Sequence, residues 1–146
     1  MDYANPDQPL AGKTVAVLVA NGFAEIEMCE PQRALTKAGA TVRIVSSETG
    51  LTNGWHDGSW GHNFFVDVKV SEALPSQFDA LIIPGGERSM ATLLKNAHSR
   101  RIVKGMIDAG KPVGSLSLAP TLLIAAEAIQ GRTVTGDPSL QAAVEA

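Results

Sequence analysis

The segment of residues 111–123 constrains the fold of this chain more than any other part of the sequence. Residues 112–116 have the apolar character of a buried strand and residues 121–128 that of a helix, with only a short turn between them. In open α/β sheets such a turn lies at the carboxyl edge and projects one side chain above it, which is how a nucleophile is presented. Ser117 occupies the tip of this turn, and the adjacent Leu118 can neither accept nor donate a proton. The segment therefore predicts the architecture of a catalytic elbow without its usual chemistry.

Segments typical of strands alternate with segments typical of helices along the chain. Residues 14–20 form a continuous, valine-rich apolar run, which is the pattern of a parallel strand buried on both faces. The alternation predicts an α/β fold, a doubly wound, mostly parallel sheet with helices on both faces. The other predicted strands are 41–46, 64–70 (an edge strand), 79–83 and 132–135; the other predicted helices are 24–38 with a kink or restart at Pro31, 89–97, 99–109 and one from 139; residues 48–62 suit a short hairpin.

Three loops are predicted to meet at the carboxyl edge of this sheet. They comprise residues 21–27, 84–89 and 117–121. Because ligands of open α/β sheets bind at that edge, these loops define the candidate site, and a small molecule is the expected kind of ligand.

The composition is that of one globular domain over residues 1–146, with 1–12 as an extended N-terminal segment. The formal net charge is −3 and no basic cluster is present, which argues against nucleic acid as a partner. No apolar run approaches the ~20 residues of a membrane helix, and the first residues do not resemble a signal peptide. Cys29 is the only cysteine, so no internal disulfide can form, and we expect a cytoplasmic protein that does not bind membranes.

The histidines give little support for metal or cofactor chemistry. His56, His62 and His98 are too scattered to suggest a metal site, and no glycine-rich phosphate loop is present, so we expect neither a metal nor a cofactor. His56 and His62 flank Trp60 in a glycine-rich segment, which we interpret as a surface loop or, alternatively, a cover over the pocket. A histidine from that loop is the one visible source of a base for Ser117 besides a carboxylate.

Four ordered strings, at residues 15–27, 38–42, 78–86 and 110–123, resemble the ThiJ/PfpI family of flavodoxin-like domains, which is related to the class I glutamine amidotransferases. Together they span roughly residues 13–137, which is most of the chain. The resemblance implies a flavodoxin-like fold, possible enzymatic activity at the elbow, and a homodimer. Members usually continue with a further strand and a closing helix, so this fold is expected to lack them.

The resemblance also assigns roles, and this chain departs from several of them. The family's elbow cysteine, with the histidine and glycine that often follow it, falls on Ser117, Leu118 and Ala119. The glutamate that partners the cysteine falls on Glu27, whereas a second acidic position of the protease-like branch falls on Ala24.

Three interpretations of Ser117 follow. In the first, it is a small polar residue that the tight turn tolerates and that caps the following helix. In the second, it is a nucleophile that Glu27 activates as a general base. In the third, its hydroxyl binds a ligand by a hydrogen bond.

The remaining candidates each have a plain structural alternative. The amides of Gly85, Gly86 and Leu118 could form an anion pocket, or the glycines could serve only the turn. Arg88 could bind a substrate carboxylate, or it could be a solvated surface residue. Glu25 is explained by its place at a helix start, where the helix dipole favours acids.

Because the cysteine–histidine pair is missing, the sequence favours a non-catalytic domain that binds a small molecule or a partner, or acts through assembly. The alternative is a hydrolase or glyoxalase-like enzyme that uses Ser117 with Glu27. The retained elbow, Gly-Gly turn and glutamate support this second hypothesis.

Overall fold

The computed structural model describes residues 8–117 and 119–125. Eight strands and four α-helices follow one another in this part of the chain. They are β1 (Thr14–Val19), β2 (Phe23–Ala24), α1 (Glu25–Lys37), β3 (Thr41–Ser46), β4 (Leu51–His56), β5 (Ser59–Phe65), β6 (Val68–Lys69), β7 (Ala80–Ile83), α2 (Glu87–Leu94), α3 (Ala97–Asp108), β8 (Val113–Ser115) and α4 (Pro120–Ala125), with short 3₁₀ turns at Val70–Glu72 and Pro75–Gln77.

The main sheet has five strands in the order β6-β3-β1-β7-β8, and every pair in it is parallel. The chain moves from β1 to β3 on one side and later returns to β7 on the other. The connections that leave β1 and β7 therefore diverge at their carboxyl ends, which opens a crevice there. A second sheet, in the order β2-β4-β5, stands beside this crevice.

The alternation of side chains along β1 divides the core into two halves. Ala16, Leu18 and Ala20 belong to the cluster beneath α2, α3 and α4, whereas Val17 and Val19 belong to the cluster beneath α1. All five are fully buried. Since successive strand residues point to opposite faces, helices must cover both faces of the sheet, and the predicted doubly wound, mostly parallel fold is confirmed.

Several local predictions need correction. α1 runs as one helix through Pro31, because a proline removes only one intrahelical hydrogen bond and the buried Met28 holds this turn against the core. The described part of the N-terminal segment is not extended: residues 9–12 form turns, in which the Leu10 N–H donates to the Ala38 carbonyl.

The predicted edge strand at 64–70 is split between the two sheets. β5 ends at Phe65, and β6 pairs with β3. Asp67 causes the crossing, because its N–H donates to the Ile44 carbonyl while its carboxylate accepts the Ile44 N–H at 2.7 Å. The hairpin expected within 48–62 is formed by β4 and β5 and extends to Phe65.

Several predictions lie outside the described residues. They concern the Leu118 amide as part of an anion pocket, the strand at 132–135, the helix from 139 and the end of the helix predicted at 121–128. Within the described residues, no helix is long and apolar enough to cross a membrane.

Candidate active site

The elbow at Ser117 has the strained backbone of a nucleophile turn. Ser117 follows β8 and precedes α4, and its φ of 49° lies in the left-handed region. The turn is closed on both sides: the Leu116 N–H donates to the Ile83 carbonyl, and the Ala119 N–H donates to the Leu116 carbonyl. For a residue with a Cβ, this conformation raises the free energy of the folded state by about 1–2 kcal/mol, so surrounding contacts must stabilise it.

Glu27 supplies the most direct of these contacts. It lies in the first turn of α1, and its Oε2 accepts a hydrogen bond from Ser117 Oγ at 2.5 Å. Its other oxygen, Oε1, accepts the Gly85 N–H at 2.9 Å. The carboxylate thus joins the serine to the turn after β7, and its geometry is that of a base beside a hydroxyl.

The Gly-Gly turn has no room for side chains. A Cβ on Gly85 would stand 2.7 Å from Ser117 Cβ and 2.9 Å from Glu27 Oε1. Gly86 has a φ of 112°, and a Cβ on it would stand 2.6 Å from the Gly22 carbonyl oxygen. The three predicted loops therefore do come together at the carboxyl edge of the sheet, and two glycines allow their backbones to touch.

These contacts change two of the sequence interpretations. Ser117 is not the cap of α4, because α4 begins at Pro120 and the Ser117 hydroxyl donates to Glu27. The Gly85 amide is occupied by Glu27, so it does not face an anion pocket. The Gly86 N–H makes no hydrogen bond within residues 8–117 and 119–125, so of the two glycine amides it is the one that remains available for that role.

Gly86 also lines a pocket of about 360 Å³. Arg88 stands at this pocket with its guanidinium carbon 4.8 Å from the ring centre of Trp55 and 5.5 Å from that of Trp60. The two indoles pack edge to face at 5.2 Å. Arg88 is exposed, as expected of a surface arginine, and its guanidinium also lies against two aromatic rings. The lining residues are Gly22, Ala24, Trp55, Gly86, Glu87 and Arg88.

A second polar cluster escaped the sequence interpretation. Glu25, assigned there to the helix dipole, is only 8% exposed. Its Oε1 lies 2.5 Å from His62 Nδ1, and its Oε2 accepts the His62 backbone N–H at 3.1 Å. His62 therefore pairs with Glu25, and the structure does not support it as the base for Ser117. The signal that could have revealed the pair is glycine inside the strands, since Gly54 and Gly61 make the space for the carboxylate.

The electrostatics of this cluster follow from burial and from the partner. Burial raises the pKa of the Glu25 carboxyl, but the hydrogen bonds and charge of His62 outweigh it, so the pKa lies below its ordinary value. Burial and the nearby Glu25 raise the pKa of the Cys29 thiol, which keeps it protonated and unreactive. Both residues line a pocket of about 410 Å³ with His56, His62 and Phe64. In the described part of the chain, no three His, Cys, Asp or Glu side chains lie close enough to hold a metal ion.

The model of the DJ-1/PfpI family matches residues 13–146. The chain belongs to this family. The fold matches that of a two-domain protein of Anabaena variabilis with DJ-1/ThiJ/PfpI-like and ferritin-like domains, at a TM-score of 0.84 and 26% identity, over 91% of this chain and 37% of that one.

Curated relatives are named as enzymes. The chain is 34% identical to deglycase PfpI of Pyrococcus furiosus, over 90% of this chain and 79% of the relative. It is 32% identical to protein/nucleic acid deglycase 2 of Escherichia coli, over 84% and 70%. These relatives overturn the favoured hypothesis of a non-catalytic domain and support its enzymatic alternative. Sequence reasoning gave too much weight to the lost cysteine, since it could not show that the serine keeps a carboxylate partner.

Proposed function

We propose that this protein is an enzyme of the deglycase or glyoxalase type, in which Ser117 attacks a reactive carbonyl and Glu27 acts as the general base. The observation that carries the proposal is the 2.5 Å hydrogen bond from Ser117 Oγ to Glu27 Oε2 at a left-handed elbow. Relatives named deglycases support the same class of reaction.

In the first step, a bond forms between Ser117 Oγ and the carbonyl carbon. The π electron pair of the carbonyl moves onto its oxygen, and the hydroxyl proton passes to Glu27 Oε2. Because this proton already lies between the two oxygens, the transfer needs no rearrangement of either side chain. The Gly86 N–H is the proposed donor to the oxyanion.

The overall reaction can be balanced without an external oxidant. An α-oxoaldehyde and one water give an α-hydroxy acid, since the aldehyde carbon is oxidised while the neighbouring ketone carbon is reduced. The hydride of the former aldehyde carbon shifts to the ketone carbon, and protonated Glu27 gives its proton to the resulting alkoxide, which leaves an α-hydroxy ester on Ser117 Oγ. Water then attacks this ester with Glu27 as the base, the bond between carbon and Oγ breaks, and Oγ takes back its proton from Glu27. When the carbonyl compound is supplied as an adduct of a thiol or amine, the same reaction also releases that thiol or amine with its proton.

The test is the production of an α-hydroxy acid from methylglyoxal and from its adduct with N-acetylcysteine. Spontaneous dissociation of the adduct returns the aldehyde and gives no hydroxy acid, so this product reports catalysis alone. Removing a nucleophile or a general base lowers turnover by at least about 100-fold, and we expect this for both Ser117→Ala and Glu27→Gln.

Matched controls are available for both variants. Ser71→Ala removes an exposed hydroxyl, and Glu30→Gln removes an exposed carboxylate from the same helix as Glu27; both should retain wild-type turnover. Hydroxy acid production that persists unchanged in Ser117→Ala would overturn the proposal.

We also infer that the active form is a cytoplasmic homodimer that acts on small molecules. Support for the dimer comes from exposed apolar side chains on the hairpin, where Leu51 and Phe65 face each other across the strands and are 48% and 81% exposed. Support for the cytoplasm is the single cysteine.

A further inference from the structure

Arg88 and the two tryptophans form an arrangement that the elbow chemistry does not use. Gly22 makes it possible, because a Cβ on that residue would stand 2.4 Å from Arg88 Cβ. The stem of Arg88 therefore lies against bare backbone, and its guanidinium reaches the rings of Trp55 and Trp60. Since β4 and β5 carry these rings, the hairpin determines the position of the Arg88 guanidinium.

The charge of Arg88 has no carboxylate partner within the part of the chain that the structure describes. An arginine held by aromatic faces keeps its edge free, and that edge presents parallel N–H donors that match a carboxylate. The neighbouring Glu87 lines the same pocket but forms no ion pair with it. The arrangement is thus a positioned cation at an open pocket, ready to take an anionic group.

The pocket and the elbow adjoin the same Gly-Gly turn, although Ser117 and Glu27 do not line the pocket. Gly86 lines the pocket beside Arg88, and its neighbour Gly85 touches the serine and glutamate of the elbow. A carbonyl compound that reacts at Ser117 would extend past Gly86 towards the guanidinium. The volume of about 360 Å³ leaves room for a small carbonyl compound.

From this geometry we infer that Arg88, held by Trp55 and Trp60, binds a carboxylate of the substrate, so the substrate class is a carbonyl compound with an acid group a few bonds from the reacting carbon. The inference names the substrate class of the proposed reaction and therefore rests on it. Neutral carbonyl compounds of the same size are poorer substrates because they leave the guanidinium without an anionic partner.

A matched pair of probes differs only in this charge. γ,δ-Dioxovalerate carries an α-oxoaldehyde and a terminal carboxylate, and its methyl ester lacks the negative charge. Loss of a charge-assisted hydrogen bond corresponds to a change of about 10- to 100-fold. We expect Arg88→Met to lower kcat/KM for the acid by this factor and to change kcat/KM for the ester by less than about 3-fold, within the scatter of a surface substitution.

The control variant is Arg43→Met, which removes the same charge from an exposed position on β3 and should leave the use of both probes unchanged. The inference would be overturned if Arg88→Met lowered kcat/KM equally for the acid and the ester, or did not lower kcat/KM for the acid at all. A preference for the ester in the wild-type protein would indicate instead that the exposed ring of Trp60 selects apolar groups.

Binding can be measured apart from catalysis, because Trp55 and Trp60 are the only tryptophans in the chain. We expect γ,δ-dioxovalerate to change the tryptophan fluorescence of Ser117→Ala at lower concentration than the ester does, and Arg88→Met to abolish this difference. If the proposed reaction fails but this binding difference is found, the carboxylate site stands and only the chemistry is wrong. If turnover is found but the acid and ester bind alike, the carboxylate site is wrong and the proposed reaction stands.

Discussion

At the scale of single residues, Ser117 shows how a strained backbone is maintained. Its left-handed φ would relax if the turn were free, but Gly85 packs against its Cβ and Glu27 holds its hydroxyl. In the described part of the chain, Asp57 is the one other non-glycine residue with positive φ, and it lies in a hairpin turn where this conformation is common. Strain at Ser117 has no such local reason, which is typical of a position kept for function.

A glycine at position 117 should relieve the backbone strain without restoring the hydroxyl that the proposed reaction needs. Ser117→Gly and Ser117→Ala both remove the hydroxyl and its bond to Glu27, but only glycine is at ease with φ near 49°. We expect Ser117→Gly to have a free energy of unfolding about 1 kcal/mol higher than that of Ser117→Ala, while both variants are inactive. Denaturant unfolding measures the difference.

Ser115 serves as the control, because the difference in stability between its glycine and alanine variants should have the opposite sign. Ser115 lies in β8, where glycine is unfavourable, so Ser115→Gly should be less stable than Ser115→Ala. If the glycine and alanine variants at position 117 are equally stable, the elbow is not strained in solution.

At the scale of elements, the hairpin of β4 and β5 is anchored to α1 by one buried carboxylate. A Cβ on Gly61 would stand 1.9 Å from Glu25 Oε2, and one on Gly54 would stand 3.0 Å from it. The register of the hairpin shifts where Gly54 of β4 stands opposite both Gly61 and His62 of β5, as expected of a bulge on β5. The anchor matters for the pocket, because this hairpin carries both tryptophans that hold Arg88.

This anchor predicts a dependence of stability on pH. The pKa of Glu25 is lower in the folded protein than in the unfolded chain, so its contribution is present above the unfolded value of about 4.3 and is lost as the pH falls through the folded value. We expect the acid loss of stability below about pH 4.3 to be shallower in Glu25→Gln, since that variant has no carboxylate to protonate. Tryptophan fluorescence during acid titration reports on the hairpin itself.

Glu30→Gln provides the comparison, because Glu30 is exposed on the same helix. Its acid titration should follow that of the wild-type protein. Superimposable acid transitions in the wild type and in Glu25→Gln would show that the pair does not anchor the hairpin.

At the scale of the whole molecule, the strand order decides where the site lies. β1 is central, and the strands on its two sides are reached by connections that leave in opposite directions. The crevice between the ends of β1 and β7 therefore receives Glu27 from α1 and the Gly-Gly turn after β7. Ser117 arrives from the end of β8, which is the neighbour of β7.

The exposed apolar face of the hairpin predicts a homodimer. If the exposed hairpin face is covered in a homodimer, replacing its largest apolar side chain should weaken association. We expect the wild-type protein to have the mass of a dimer by light scattering, and Phe65→Ser to shift towards the monomer on dilution. Lys69→Gln, an exposed change on β6 outside the hairpin, should leave the mass unchanged. A wild-type monomer at all concentrations would refute the dimer.

Most of the fold could be predicted from the sequence because parallel strands buried on both faces leave a strong local signal. The valine-rich run of β1 and the glycines that close β7 and α3 needed no tertiary information. The small strand β2 left no such signal, since it has two residues and depends on a partner elsewhere in the chain, and the pattern at 64–70 did not separate β6 from β5.

The sequence by itself determined the doubly wound sheet, the family and the identity of the elbow residue, because periodicity, glycine positions and ordered motifs are local properties. Only the tertiary structure decided what surrounds that residue. Glu27 is 90 positions away from Ser117 and Glu25 is 37 away from His62, and nothing in either local pattern specifies these hydrogen bonds. Sequence spacing also does not place Arg88 beside Trp55 and Trp60. Arg88 lies on α2, whereas the two tryptophans lie on β4 and β5 of the second sheet. The candidate site is defined by side-chain distances of a few ångströms, and such distances are set only when separate elements pack against one another.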